Sequence, residues 1–306
     1  MIVRSRPNLM AILFTLQGSI LPRVALKVGF ITGAAIAVVA VERAWPDPFP
    51  LSAGIGPFTL VGLALSIFLS FRNGACYDRW WEARKAWGTL ILEARAVARL
   101  LAALLPDERH EAVRTRALKR VLAFARALHA QMRREDEIAA ATPFLSETEA
   151  ATLQGRPSPA DTVLGHLTAD LGRTQRAGAL SDIQFGLLEQ KIAALSQVQI
   201  VCERIQGTPL PFAYTLLLYR TAWIYCLLLP FGLAGTLGWV TPFVAALVAY
   251  TFFGLDALGD ELEDPFGLEP NDLPLDALLR VVEGTVLDAL GEPVPPPLAP
   301  EGFLLR

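Results

Sequence analysis

Seven carboxylates crowd one short stretch of the chain: Asp256, Asp260, Glu261, Glu263, Asp264, Glu269 and Asp272, around Pro265-Phe266-Gly267. Hard oxygen donors at that density are what a divalent cation takes, although the spacing is not that of an EF-hand loop and acidic runs are usually just solvated. Other chemistry is harder to assemble. His110, His129 and His166 are scattered without ligand spacing. Cys76, Cys202 and Cys226 form no CxxC pair, and two of them lie in or beside apolar runs, which reads as reduced, buried thiols. There is no GxSxG elbow, no HExxH helix, no glycine-rich phosphate loop and no Cys–His frame. The residues therefore argue against an enzyme.

A second group of residues has a different character. Residues 71–88 read FRNGACYDRWWEARKAWG, with Arg72, Asp78, Arg79, Glu82, Arg84 and Lys85 interleaved with Trp80, Trp81 and Trp87. Indoles and guanidinium groups share a preference for the boundary between a bilayer and water, so this stretch suits an interfacial anchor. It also directly continues an apolar run, so a helix carried through it would present charge at the mouth of whatever the run lines. Within that run Leu63, Ile67 and Phe71 recur every four residues and share one helix face. On one chain such a stripe is a packing or lipid-facing surface. Around an axis of several copies it becomes an apolar constriction that gates by dewetting. Gly62, Ala64, Ser66 and Ser70 are small enough to let neighbouring helices approach closely.

The elements that position these residues follow from hydropathy. Hydrophobic residues make up 53% and charged residues 19%, fewer charges than the roughly 25% of a soluble domain. Residues 24–41 form a first apolar run if Lys27 snorkels to the interface, and 54–71 form a second, each about 18 residues long and long enough to cross a hydrocarbon core. Residues 1–23 read as a short amphipathic interfacial helix rather than a cleaved signal. From 72 to 211 the pattern becomes that of a helical region with polar faces. Its clearest helices are 87–105, 108–134, 158–177 and 181–206, with Ser158-Pro159 and Ser181…Gln184 as start signals.

Apolar sequence then returns. No charge occurs between Thr221 and Leu255, a run of 35 residues broken by Pro230, Gly232, Gly235, Gly238 and Pro242. This reads as a hairpin of two spans, 212–231 and 241–255. Arg220, near the middle of the first of these two spans, needs a partner or a wet path. Residues 256–306 supply the acidic segment, a final amphipathic helix opened by Asn271-Asp272-Leu273-Pro274 and reaching Leu290, and a proline-rich tail. Basic residues flank the first pair of spans while the connector 42–53 carries one, so by the positive-inside bias the termini and the polar helices face the cytoplasm. The expected fold is an all-α membrane protein with four transmembrane helices and a cytoplasmic helical bundle. The net charge of −3 leaves no basic surface for nucleic acid.

Four stretches in order carry a family resemblance across nearly the whole length: FRNGACYDRWWEARKAWG, TPLPFAYTLLLYRT at 208–221, TPFVAALVAYTF at 241–252 and ELEDPFGLEPNDLPLD at 261–276. The chain resembles a bacterial bestrophin homologue. That resemblance implies a homopentamer around one central pore in a bacterial cytoplasmic membrane, in contact with lipid and passing monovalent ions. It implies a neck built by Leu63, Ile67 and Phe71 and a second, cytoplasmic aperture at Ile183. It also implies that Glu261, Asp264, Glu269 and Asp272 occupy the positions of a calcium clasp, with calcium or zinc as the divalent ion. Here the family's dense run of aspartates is interrupted by Leu268, Pro270 and Asn271, so no cofactor is required. Sodium and similar cations are the expected ions, drawn by the acidic segment. The alternatives are a chloride channel of the same family, a transporter or a structural membrane protein.

Overall fold

The computed structural model describes residues 1–3, 15–16, 18–45 and 56–306. Most of the expected interfacial helix in 1–23 and most of the proline-rich connector fall outside the described residues. Those that are described form ten α-helices and no strand ladder. The helices are α1 (Leu21–Ala44), α2 (Gly56–Leu104), α3 (Glu111–Arg133), α4 (Glu137–Ala141), α5 (Glu147–Leu153), α6 (Pro159–Arg176), α7 (Asp182–Gly207), α8 (Phe212–Leu237), α9 (Thr241–Glu263) and α10 (Leu275–Leu290). Three stretches are long and apolar enough to cross a membrane: Leu21–Ala44, Gly56–Leu104 and Phe212–Glu263, the last comprising α8 and α9.

The chain divides into two compact units, Arg4–Trp80 with Pro209–Pro265, and Met1–Val3 with Trp81–Thr208 and Phe266–Arg306. Helix α2 belongs to both, running without a break through the 71–88 stretch for 49 residues, roughly 70 Å of helix.

The apolar unit is built from α1, the first half of α2, α8 and α9. Its core holds Ile31, Ala35, Leu65, Leu69, Leu218, Cys226, Ala249 and Phe253. Pro22 and Pro242 sit in the first turns of α1 and α9, where a missing N–H costs nothing. Both hairpin helices outrun their expected ends. Pro230 and Gly232 were expected to close the third span near 231, yet α8 continues to Leu237. Neighbouring helices shelter the backbone group that a proline frees, so an apolar helix tolerates it. Gly232 has a packing purpose instead, since a Cβ there would fall 2.4 Å from the Phe58 ring. The helix stops at Gly238, whose φ of +51° is one that side-chain-bearing residues avoid. Helix α9 passes its expected end at 255 and reaches Glu263, because its acidic last turns find partners within the unit.

The second unit is a helical bundle. Phe124, Leu128, Leu167, Leu171, Trp87 and Leu101 are fully buried in it. The expected helix starts are made as read. Ser181 and Gln184 form a complete capping box, and Ser158 caps α6 through the Asp161 amide with Pro159 following. Short α4 and α5, which no periodicity marked, connect α3 to α6. A buried ion cluster ties these pieces together: Arg120 reaches Asp170 at 2.6 Å and Glu149 at 2.6 Å, and Arg116 reaches Asp170 at 3.1 Å. Burial alone would raise the Asp170 carboxyl, but hydrogen bonds from Arg120 and Arg116 overcome it and hold the group down at about 2. The proline-rich stretch 292–300 is irregular, and the residues after it pair with the N-terminus. Val3 N–H donates to the Phe303 carbonyl and Leu305 N–H to that of Met1, at 2.8 and 2.9 Å.

Candidate functional site

On α2 the side chains facing the chain's own core are Gly62, Leu65, Leu69, Arg72 and Cys76, spaced three and four apart. The expected stripe lies on the opposite face. Leu63, Ile67 and Phe71 are 60%, 47% and 67% exposed, whereas Leu65 and Leu69 are buried. Three large apolar side chains in one line, turned away from the chain's own core, are a surface made for something outside the chain. Of the small residues expected to admit a close neighbour, Gly62 is buried, whereas Ala64, Ser66 and Ser70 are exposed. A Cβ on Gly62 would come within 2.6 Å of the Tyr225 hydroxyl oxygen, and Ser66 Oγ donates back to the Gly62 carbonyl at 2.8 Å. Ser66, Ser70, Asn73 and Thr251 line a cavity of about 400 Å³ in the same unit.

Arg72, the residue after Phe71 and on the core face with Leu65 and Leu69, is fully buried. Its guanidinium donates to Asp256 Oδ1 at 3.0 Å and to Asp260 Oδ1 at 2.5 Å, and lies 3.6 Å from Glu263 Oε2. Asp256, Asp260 and Glu263 follow one another at four- and three-residue steps down one face of α9, so a single arginine on α2 meets all three. Nearby, Arg23 holds Glu261 at 2.6 Å, and Arg79 Nε donates to the Glu263 carbonyl at 3.1 Å. Gly259 is what allows this closeness, because a Cβ there would sit 2.6 Å from Asn73 Oδ1 and 3.0 Å from Arg72 Nη1. Sequence reading placed Arg72 at an interface and the acids at a solvated or ion-binding patch. It missed that each is the other's partner. The signal was present: an apolar run ending in a lone arginine, and another ending in acids spaced to share it.

The residues expected to form a clasp are distributed as follows. Glu261 is buried against Arg23 and Asp264 is exposed, both in the apolar unit. In the bundle unit, Asp272 is buried and accepts the Glu269 amide at 2.7 Å, while Glu269 is exposed. Among the described residues no group of three or more His, Cys, Asp or Glu side chains is placed to hold a metal ion. Ile183 belongs to the bundle unit, in the first turn of α7 just after its cap, and is 77% exposed. Arg220 is exposed on α8 with no ion pair among the described residues. Lys27 does not simply reach for water, since its ammonium lies 5.0 Å from the Tyr219 ring centre and 5.7 Å from that of Phe253. The three cysteines are free and buried, and burial pushes the Cys202 thiol up to about 12.

Such an arrangement does no covalent chemistry. It offers an apolar helix face, braced from behind by a buried ion cluster. Residues 1–288 match the sequence profile of the family described as Bacterial/Fungal Bestrophin protein. Over 307 residues, 99% of this chain and 96% of the relative, the chain is 49% identical to the voltage-dependent anion channel-forming protein mll4386 of Mesorhizobium japonicum. It is 39% identical over 287 residues, 92% of each chain, to the voltage-dependent anion channel-forming protein YneE of Salmonella typhi. Among solved structures, a bacterial bestrophin homologue from Klebsiella pneumoniae superposes with a TM-score of 0.83 at 37% identity, covering 88% of this chain and 99% of that one.

Proposed function

This chain belongs to the bestrophin family of ion channels, and from that premise we propose that five copies surround one pore whose neck is lined by Leu63, Ile67 and Phe71. The observation that carries the reading is the exposed stripe itself. A helix braced through Leu65, Leu69 and Arg72 has its opposite face free to line an axis, and a ring of such faces makes a dry constriction that opens by small helix movements. Ile183, apolar and exposed at the start of α7, is proposed as the second aperture. Four spans, α1, the first part of α2, α8 and α9, would put the bundle unit and both termini on the cytoplasmic side of a bacterial inner membrane.

We further propose that anions are the permeant ions. The relatives are named for anions, which favours chloride over the sodium expected from the acidic segment. The physical basis of that expectation is also weakened, because Asp256, Asp260 and Glu263 are engaged by Arg72, and Glu261 by Arg23. Two arginines against these four carboxylates offset part of the charge, and charge so offset attracts cations less. The neck carries no charge of either sign. Reconstitution into planar bilayers under a sodium chloride gradient tests the choice. A reversal potential near the chloride equilibrium value supports anion passage, and one near the sodium value returns the channel to cations.

A further inference from the structure

In the bundle unit, the second half of α2, helix α10 and the tail segment 294–298 line an open cavity of about 1130 Å³. That is slightly larger than the usual range of small-molecule sites. Its walls are mostly apolar, with Ala98 and Ala102 on α2, Leu278 and Val281 on α10, and Leu298 on the tail. The tail is held in place as a wall: Arg280 Nη1 donates to the Pro296 carbonyl at 3.5 Å, and Val294 Cγ1 lies 3.3 Å from where a Cβ on Gly284 would be.

Three more arginines line the same cavity. Arg84, Arg95 and Arg99 lie on one side of α2 at steps of eleven and four residues, and none has a carboxylate partner among the described residues. Elsewhere in this unit Arg116, Arg120, Arg126, Arg173 and Arg204 are each satisfied by an acid. Asp288 is the one acidic side chain in the lining, so the cavity is apolar with a positive rim. Arg95 and Arg99, one turn apart, can close on an anion from two directions, and guanidinium groups are the side chains best shaped to hold phosphate or carboxylate oxygens.

We propose that this cavity binds a single-chain anionic amphiphile, its phosphate or carboxylate head between Arg95 and Arg99 and its acyl tail along Leu278, Val281 and Leu298. Charge complementarity identifies the head, and the mostly apolar walls identify the tail. A hydrophilic anion would leave those walls wet, and a neutral lipid would leave the guanidinium groups without a partner.

The test is native mass spectrometry of the full chain in detergent, titrated with oleoyl lysophosphatidic acid, with monooleoylglycerol, which has the same tail and no charge, and with inorganic phosphate. The expected result is binding of the lysophosphatidic acid about tenfold tighter than the neutral lipid, with no saturable binding of phosphate. Arg95→Gln with Arg99→Gln, both exposed positions, should bring the two lipids within about twofold of each other. Equal binding of both lipids to the unaltered chain, or an undiminished preference in the double variant, overturns the proposal. An independent arm uses Val281→Cys. The native cysteines are buried, so a maleimide reports on the introduced thiol, which lysophosphatidic acid should protect. A thiol already unreactive in the lipid-free oligomer would mean that a neighbouring copy fills the cavity, and that too overturns it.

Discussion

Replacing Arg72 by Met isolates what the buried ion cluster contributes. Methionine keeps most of the side chain's length and packing while removing the charge. The consequence depends on the partners left behind. Asp256 is buried and loses its guanidinium partner, keeping only the more distant charge of Lys27 among the described residues, Glu263 is partly shielded, and Asp260 is half exposed and returns to water. Stranding a buried carboxylate by deleting its partner costs about 3–5 kcal/mol, whereas an exposed pair contributes about 0–1 kcal/mol. Most of the loss therefore comes from Asp256, and we expect about 3 kcal/mol in total. At roughly 2–4 °C per kcal/mol for a large chain, the thermal midpoint of the purified protein in detergent should fall by roughly 6–12 °C. The decisive comparison is the double variant Arg72→Met with Asp256→Leu, which removes both charges. It should recover most of the loss, because the stranded carboxylate has gone. If the single variant melts with the unaltered protein, or the double variant melts no higher than the single, the reasoning that Arg72 stabilises by neutralising Asp256 is wrong.

Gly259→Ala should strain the same cluster from the other side, by about 1–3 kcal/mol. Its cost should shrink in the Arg72→Met background, since the clash with the guanidinium is relieved, and melting of the double variant checks this. In the bundle, Asp170→Asn should cost about 2 kcal/mol at neutral pH, because Arg120 keeps Glu149 but loses its second acid. The Asp170 carboxyl is depressed from 3.8 to about 2. Its stabilisation is therefore complete above about pH 4 and lost as the pH falls toward 2, so the gap between variant and unaltered protein should close over that window. A gap that is constant from pH 6 to pH 2.5 in chemical unfolding would exclude the ionised carboxylate as its source.

The sequence makes the helical class, the long continuous α2, the caps at Ser158 and Ser181 and the apolar hairpin legible because each rests on local chemistry. Hydropathy, a proline in a first turn and a serine three residues before a glutamine act within a few residues of themselves. The Leu63, Ile67 and Phe71 stripe is legible for the same reason, as a simple period along one helix. What escapes local reading is pairing across the fold. Arg72 and Asp256 are 184 residues apart, and neither residue's neighbours say that the other will meet it. That omission bears on function, since four of the acids counted as a cation-attracting surface are partly offset by Arg72 and Arg23. Helices α8 and α9 run on past the span bounds expected at 231 and 255, because packed neighbours and Arg72 sustain them where Pro230 and the acids after Leu255 would break or solvate an isolated helix.

The claim that most needs testing is that Leu63, Ile67 and Phe71 form the constriction through which ions pass. Single-channel recording in planar bilayers, comparing the unaltered protein with the variant carrying Leu63→Ala, Ile67→Ala and Phe71→Ala, tests it directly. A widened, more easily wetted neck predicts a several-fold higher open probability or unitary conductance in the variant, with its oligomeric state unchanged. Identical currents from the two proteins, or no current from either, would contradict it.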